Sequence, residues 1–129
     1  MKTKTLHQSV LFTASPHDLF EAFMDSKKHS EFTGAEAHIS RDIGGEFRVW
    51  DDWATGMNLE VVPDKKIVQK WHGGDWPEGH YSVVTFEFQK KKGGTLLEFS
   101  QTEIPEELYE DIVQGWNEWY WKKLKLYLQ

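Results

Sequence analysis

The chain has 129 residues, 39% of them hydrophobic and 28% charged, which is the composition of one globular domain of ordinary size. Its formal net charge of −6 argues against a nucleic-acid partner and against an anionic membrane surface, because both would repel it. The sequence contains no cysteine, which excludes disulfides, thiol catalysis and sulfur-bound metals. No secretory signal and no membrane-length apolar run is visible, so we expect a cytoplasmic protein with no membrane and no nucleic-acid partner.

The N-terminal part predicts a strand followed by two short helices. Residues 5–13 alternate between apolar and polar side chains, as a half-buried strand does. Ser15-Pro16 then begins a helix, because serine caps a helix N-terminus and proline suits the first helical position. A second helix is predicted over residues 26–32, and Gly34 ends it.

The middle of the chain, from Ala35 to Thr102, predicts strands and turns. Pro63-Asp64 and Trp76-Pro77-Glu78-Gly79 are turn signals, and Gly93-Gly94 predicts a two-residue hairpin loop. Strands joined by such short links must lie antiparallel to each other. We therefore expect a meander of about six further strands.

The last predicted element is a helix that begins at Pro105 and continues to Leu128. On a wheel of 100° per residue, its polar side contains Glu107, Asp111, Gln114, Glu118, Lys122 and Lys125. Its apolar side contains Leu108, Ile112, Trp116, Trp119, Tyr120, Leu124 and Tyr127. The apolar sector spans roughly 200°, wider than the ~100° stripe of a helix on a flat surface. We expect a curved sheet wrapped around this helix.

Several strings of the sequence resemble a known family. The strings GMNLEVVPDKKIVQKW, DWPEGHYSVVTFEF and GWNEWYWKKLKLYL resemble the C-terminal domain of the activator of heat-shock protein 90 ATPase and its stand-alone prokaryotic relatives. The resemblance runs from Val10 to Leu128 and is most specific at Trp71, at residues 76–80 and at Gly115-Trp116.

The resemblance implies the α+β helix-grip architecture of START-like (SRPBCC) proteins. In this fold a curved antiparallel sheet of about six or seven strands surrounds a long C-terminal helix, and two short helices follow the first strand. We expect residues 1–129 to form a single START-like domain. In the eukaryotic activator a separate N-terminal domain makes much of the chaperone contact. Since this chain begins at the C-terminal-type domain, we expect ligand binding rather than chaperone activation to be its main function.

The wider superfamily binds hydrophobic molecules between sheet and helix, so we predict a cavity there. Its predicted walls are Trp71, Phe86, Trp116, Trp119 and Tyr120. Its predicted polar end consists of His80, Ser82, Gln101 and Asn117. Apolar walls with a few convergent polar groups are typical of small-molecule sites. A fully packed core, with its polar groups bonded to one another, would explain the same residues.

Catalytic and metal sites have little support in the sequence. The six histidines show no zinc or facial-triad spacing, and His80 is best interpreted as a turn anchor or a residue at the cavity mouth. No GxSxG elbow is present, and the Gly-Gly pairs precede strands rather than helices. We therefore predict no catalytic residue, no metal and no cofactor.

Three functions remain open at this point. The main prediction is a non-enzymatic protein that binds a small hydrophobic or aromatic ligand between the sheet and the last helix. The alternative is a co-chaperone-like regulator of a heat-shock protein 90 ATPase that acts through surface anchors such as Trp50, Trp53 and Trp76. The third is a cyclase or hydrolase that depends on His80, Asp75 or a nearby carboxylate. Either a monomer or a homodimer is compatible with the sequence.

Overall fold

A seven-stranded antiparallel sheet organises the protein, which a computed structural model describes over residues 2–129. In space the strands follow the order β1-β7-β6-β5-β4-β3-β2, so β2 to β7 form a meander and β1 joins it beside β7. The strands are β1 (Thr3–Phe12), β2 (His38–Ile39), β3 (Glu46–Val49), β4 (Ala54–Val62), β5 (Lys66–Gly73), β6 (Ser82–Lys91) and β7 (Gly94–Pro105). The predicted helix-grip architecture is confirmed.

Two short helices, α1 (Pro16–Met24) and α2 (Ser26–Thr33), connect β1 to β2. The Ser15 hydroxyl oxygen accepts the backbone N–H of Asp18 at 3.1 Å, which satisfies one of the free donors at the start of α1. Gly34 ends α2 in the left-handed region, with a φ of 78°. Helix α1 therefore begins where the sequence predicted, and the bounds of α2 agree with the prediction to within one residue.

The C-terminal helix, residues 106–127, is not a uniform α-helix. A 3₁₀ turn (Glu106–Leu108) leads into α3 (Tyr109–Gly115), which is followed by a π-helical segment (Trp116–Trp121) and by α4 (Lys122–Tyr127). In the π-helical segment the backbone bonds run from residue i to i+5, so each turn holds more residues than the wheel assumes.

The π-helical segment changes which side chains face the sheet. Trp116, Tyr120 and Trp121 are all buried, although the wheel did not place Trp121 on the apolar side. Trp119, which the wheel placed there, is 55% exposed. The wheel failed at both positions because it kept 100° per residue through a segment of different pitch.

Aromatic contacts of the C-terminal helix extend over the sheet from β1 to β5. Trp121 packs against Phe12 of β1 at 6.5 Å between ring centroids, and Trp116 packs against Phe99 of β7 at 4.5 Å. Trp116 also lies 5.3 Å from Trp71 of β5. The sheet therefore provides partners on several sides of the helix, as the width of its apolar sector required. Among the helices of residues 2–129, none has the length and apolar character that a membrane crossing needs.

Candidate functional site

A groove of about 420 Å³ lies between the C-terminal helix, the β3–β4 turn and the β5–β6 link. Six of the seven tryptophans in the sequence line it, so its walls are mainly aromatic. The lining residues are Trp50, Trp53, Trp71, Asp75, Trp76, Gln101, Leu108, Asp111, Ile112, Gly115, Trp116, Trp119 and Tyr120. Four separate parts of the chain therefore build one site.

The floor of the groove is formed by Trp71 and Trp116, which are both buried. A glutamine fixes the indole N–H of each ring. Trp71 Nε1 donates to Gln69 Oε1 at 2.9 Å, and Trp116 Nε1 donates to Gln101 Oε1 at 2.7 Å. Because a buried donor without a partner is costly, these bonds hold both rings in one orientation.

The two glutamines are fixed in turn by buried polar groups. Gln69 Nε2 donates to Asn58 Oδ1 at 3.0 Å, and the Asn58 amide donates to two backbone carbonyls between β2 and β3. Gln101 Nε2 donates to Ser82 Oγ at 3.0 Å, and the Ser82 hydroxyl donates to a backbone carbonyl of β7. Each of these two series of hydrogen bonds ends at the indole N–H of a floor tryptophan. The buried polar groups therefore fix the orientation of the two rings.

Tyr120 connects one wall of the groove to the core. Its hydroxyl accepts the indole N–H of Trp50 at 3.0 Å and lies 3.1 Å from His29 Nε2. Burial lowers the pKa of His29 to about 3 and raises the pKa of the Tyr120 hydroxyl well above its ordinary value. The cluster is therefore uncharged at neutral pH.

The β3–β4 turn, which carries two of the groove's tryptophans, has an uncommon backbone conformation. Trp50, Asp51 and Asp52 have consecutive positive φ angles of 58°, 55° and 69°. Residues other than glycine rarely adopt this backbone region, and each one that does lowers the stability of the fold by on the order of 1–3 kcal/mol. Two bonds to Glu36 hold the turn: its N–H donates to Asp51 Oδ1 at 2.7 Å, and its carbonyl accepts the Asp51 N–H at 3.1 Å. The turn thereby places Trp50 and Trp53 along the groove.

The rim of the groove depends on close packing against Gly73, at the end of β5. A Cβ at this position would lie 2.5 Å from Trp76 Nε1 and 2.9 Å from Trp53 Cη2, so only glycine allows both rings to approach. Trp53 is 46% exposed, and Trp119 across the groove is 55% exposed. The rim therefore presents two large rings to solvent.

The charged residues in the lining are both acidic. Asp75 belongs to the β5–β6 link and Asp111 to α3, and both side chains are exposed. Among residues 2–129, neither carboxylate forms an ion pair with a basic side chain. The groove therefore combines aromatic walls with two carboxylates that form no ion pair, and the Lys123 ammonium lies at its rim, 5.5 Å from the centre of the Trp119 ring.

Five residues predicted for the cavity line the groove: Trp71, Trp116, Trp119, Tyr120 and Gln101. The structure thus brings together most of the predicted walls and one residue of the predicted polar end.

Four other predicted residues lie outside the lining. Phe86 lies in the core, 6.0 Å from Trp116, and Ser82 is fully buried. Asn117 is exposed and accepts a bond from Gln8 Nε2 at 3.2 Å. His80 anchors the β5–β6 link, since its Nε2 lies 2.6 Å from the Glu103 carbonyl oxygen.

Sequence reasoning did not assign Asp111 or Gly115 to the cavity, and it named Trp50, Trp53 and Trp76 only as surface anchors. A signal was present in the aromatic residues beside the turns at residues 50–53 and 73–76. Their meeting with the helix could not be predicted, because left-handed turns leave no periodic pattern in a sequence.

Comparison with known proteins gives consistent matches. The family model described as activator of Hsp90 ATPase homolog 1-like protein matches residues 13–129. The human activator of 90 kDa heat shock protein ATPase homolog 1 is 36% identical over 114 residues, covering 88% of this chain and 34% of that protein. The homologue from Dictyostelium discoideum is 34% identical over 115 residues, covering 88% of this chain and 30% of that protein.

A solved structure is also similar over nearly its full length. The crystal structure of an HSP90 activator from Plasmodium falciparum superposes with a TM-score of 0.88 at 27% identity, covering 95% of this chain and 94% of that one. The chain spans about a third of the length of the curated relatives it matches.

Proposed function

Because the chain belongs to the activator of Hsp90 ATPase homolog 1-like family, we propose that it regulates a heat-shock protein 90-type ATPase as a co-chaperone does. The observation that carries this proposal is the 36% identity to the human homologue across 88% of the chain. This was the alternative at the level of sequence, and the relatives' names favour it over ligand binding as the main function.

The exposed rings at the rim of the groove are the proposed contact with the chaperone. Trp53 and Trp119 are large, exposed aromatic residues, and tryptophan is enriched among the residues that dominate binding energy at interfaces. Of the other two anchors considered from sequence, Trp76 is buried and Trp50 is half-buried. We therefore assign the contact to Trp53 and Trp119.

ATP turnover of the host's heat-shock protein 90-type chaperone, measured with increasing amounts of this protein, tests the proposal. We expect turnover to rise, and we expect the Trp53→Ala/Trp119→Ala variant to need on the order of 30-fold more protein, about 2 kcal/mol of lost contact. Leu126→Ala is the matched control, because Leu126 is a 70% exposed apolar residue of the same helix outside the groove. Unchanged turnover together with the absence of co-elution would refute the proposal.

The groove supports a second function, the binding of a small ligand with an apolar or aromatic part. Its volume of about 420 Å³ falls within the range of about 300–1,000 Å³ that is common for ligand pockets. Titration with a library of hydrophobic compounds, followed by tryptophan emission, tests this function. If no compound changes the emission, the groove is not a ligand site.

A further inference from the structure

We propose that the groove binds a small organic cation of the trimethylammonium type. This inference rests on the groove acting as a ligand site, the second function above, and it names the chemical class of the ligand. It does not depend on chaperone regulation, which is measured by ATP turnover. Four features of the groove support it: ring geometry, charge, the hydrogen bonds of its indole groups, and the space beside the helix.

The rings of one wall stand nearly perpendicular to each other, as the sides of a box do. The Trp50 ring meets the Trp119 ring at 74° with centroids 6.1 Å apart, and it meets Tyr120 at 77° and 5.5 Å. The faces of tryptophan and tyrosine attract cations within about 6 Å, and quaternary ammonium ions are typical ligands of aromatic boxes. Lys123 Nζ already lies 5.5 Å from the Trp119 centroid, so an ammonium group occupies one such position at the rim.

The charge of the lining selects a cation over an anion. Asp75 and Asp111 are the charged groups of the lining, and no lysine, arginine or histidine of residues 2–129 lines the groove. Because both carboxylates lack a basic partner, their field attracts a cationic ligand and repels a carboxylate or phosphate. An anionic amphiphile, such as a fatty acid, does not suit this groove.

Three of the six tryptophans that line the groove use their indole N–H groups within the protein. The indole N–H groups of Trp50, Trp71 and Trp116 bond to Tyr120, Gln69 and Gln101 respectively. These rings therefore offer faces rather than donors to a ligand. A methylated ammonium ion matches such walls, since it carries charge without strong hydrogen-bonding demands of its own.

Gly115 leaves free space at the groove, although no neighbouring atom is so close that a glycine is needed at this position. It is the last residue of α3 before the π-helical segment, and glycine is less favourable than alanine inside a helix. A Cβ here would meet only Trp119 Cδ1, at the ordinary contact distance of 3.9 Å. Since Gly115 lines the groove, the missing methyl group enlarges the site for an occupant.

Three compounds of one shape test the proposal: choline, the uncharged 3,3-dimethylbutan-1-ol and the anion 3,3-dimethylbutanoate. Each is titrated into the protein while the indole N–H signals of the seven tryptophans are followed by NMR. We expect choline to shift the signals of Trp50, Trp53 and Trp119 in a saturable way. The alcohol should bind about tenfold more weakly, because it lacks the cation–π attraction, and the anion should not bind.

Replacing the two carboxylates by neutral amides separates the contribution of charge to ligand binding from that of shape. We expect Asp75→Asn/Asp111→Asn to weaken choline binding about fivefold or more, and to leave the binding of the alcohol unchanged. Glu110→Gln is the matched control, because it removes a carboxylate next to Asp111 that does not line the groove.

Each contrary result has a distinct meaning. If the alcohol binds as tightly as choline, or the anion binds more tightly, the groove is a ligand site but the assignment of a cation is wrong. If none of the three compounds shifts an indole signal, and the hydrophobic library also leaves the emission unchanged, the ligand site and this inference fail together.

Discussion

Tyr120 is the side chain at which the groove and the core meet. It contributes its ring to a wall, and its hydroxyl bonds to Trp50 of the β3–β4 turn and to His29 of α2. The Tyr120 hydroxyl and the His29 ring are neutral because burial disfavours their charged forms, and the Trp50 indole carries no charge. The Tyr120 hydroxyl therefore links this wall to a histidine that does not itself line the groove.

Stability should fall in mild acid because of His29. Its pKa is about 3 in the folded protein against 6.5 in an unfolded chain, so the unfolded state takes up the proton first. The free energy of unfolding then decreases as pH falls from about 6.5 toward about 3, by up to about 1.4 kcal/mol per pH unit. Urea unfolding at about pH 7.5, 6.5 and 5.5 measures this slope.

His29→Gln is the control for the acid effect, since an amide can still bond to the Tyr120 hydroxyl but does not titrate. The slope between about pH 6.5 and 5.5 should be smaller in this variant than in the unmodified protein. Equal slopes in the two proteins would show that other groups cause the loss of stability.

The left-handed turn makes a second prediction about a single side chain. Asp51→Ala removes the acceptor of the Glu36 N–H and places alanine at a φ of 55°. We expect a loss of about 1–2 kcal/mol in the free energy of unfolding. Asp51→Asn keeps both an acceptor oxygen and tolerance for this backbone region, so its loss should stay within about 0.5 kcal/mol. Similar losses in the two variants would mean that the charge of Asp51, not its geometry, stabilises the turn.

Among the elements, the C-terminal helix departs most from a regular pattern. Its π-helical segment turns Trp116, Tyr120 and Trp121 toward the sheet and leaves Trp119 at the rim. π-helical turns occur frequently at functional sites. Here the irregular segment contributes three residues to the lining of the groove: Trp116, Trp119 and Tyr120.

Gly115→Ala should increase stability and reduce ligand binding. Alanine is better than glycine in a helix by roughly 0.5–1 kcal/mol, and its methyl group meets no atom closer than 3.9 Å. The same methyl group would narrow the groove and weaken choline binding. Thermal unfolding and the NMR titration measure the two effects.

Gly34→Ala provides the contrast, because Gly34 also has space around it but has a φ of 78°. Backbone strain should make this variant about 1 kcal/mol less stable. If Gly115→Ala instead lowered stability, the added methyl group would have to clash with a neighbouring atom. The structure shows no atom closer than 3.9 Å, so this result would contradict it.

Strands and helices were predicted well where the signal was local. The Ser15 cap and the Gly34 terminus are properties of a few adjacent residues, and both appear as expected. Glu118 and Lys122, which the wheel placed on the polar side of the helix, form an i,i+4 ion pair at 2.8 Å.

Predictions that needed distant neighbours were less accurate. The β6–β7 loop consists of Lys92 and Gly93 rather than Gly93-Gly94, because Lys91 pairs with Gly94. Gly93 provides the positive φ of 81° that the loop needs. Gly94 is glycine for another reason: a Cβ there would lie 2.0 Å from the Phe12 carbonyl oxygen of β1. Nothing in the local sequence indicates that contact.

The site as a whole could be predicted only where it coincides with the core. Trp71, Trp116 and Gln101 were predicted as cavity residues, and these form or support the floor. The rim comes from the β3–β4 turn and the β5–β6 link, whose paths depend on left-handed residues and on packing against Gly73. The acidic residues and the exposed rings of the groove could therefore not be predicted from the sequence.

The position of β1 in the sheet has a consequence for how the protein folds. Its ladder partner is β7, and the pairing runs from Thr3 opposite Pro105 to Phe12 opposite Thr95. A ribosome must therefore synthesise the chain as far as β7, residues 94–105, before β1 finds its neighbour. Until then, β1 presents an unpaired edge to other nascent chains, and closing so long a loop slows the search. Although β1 is synthesised before the other strands of this sheet, it is therefore among the last of them to pair.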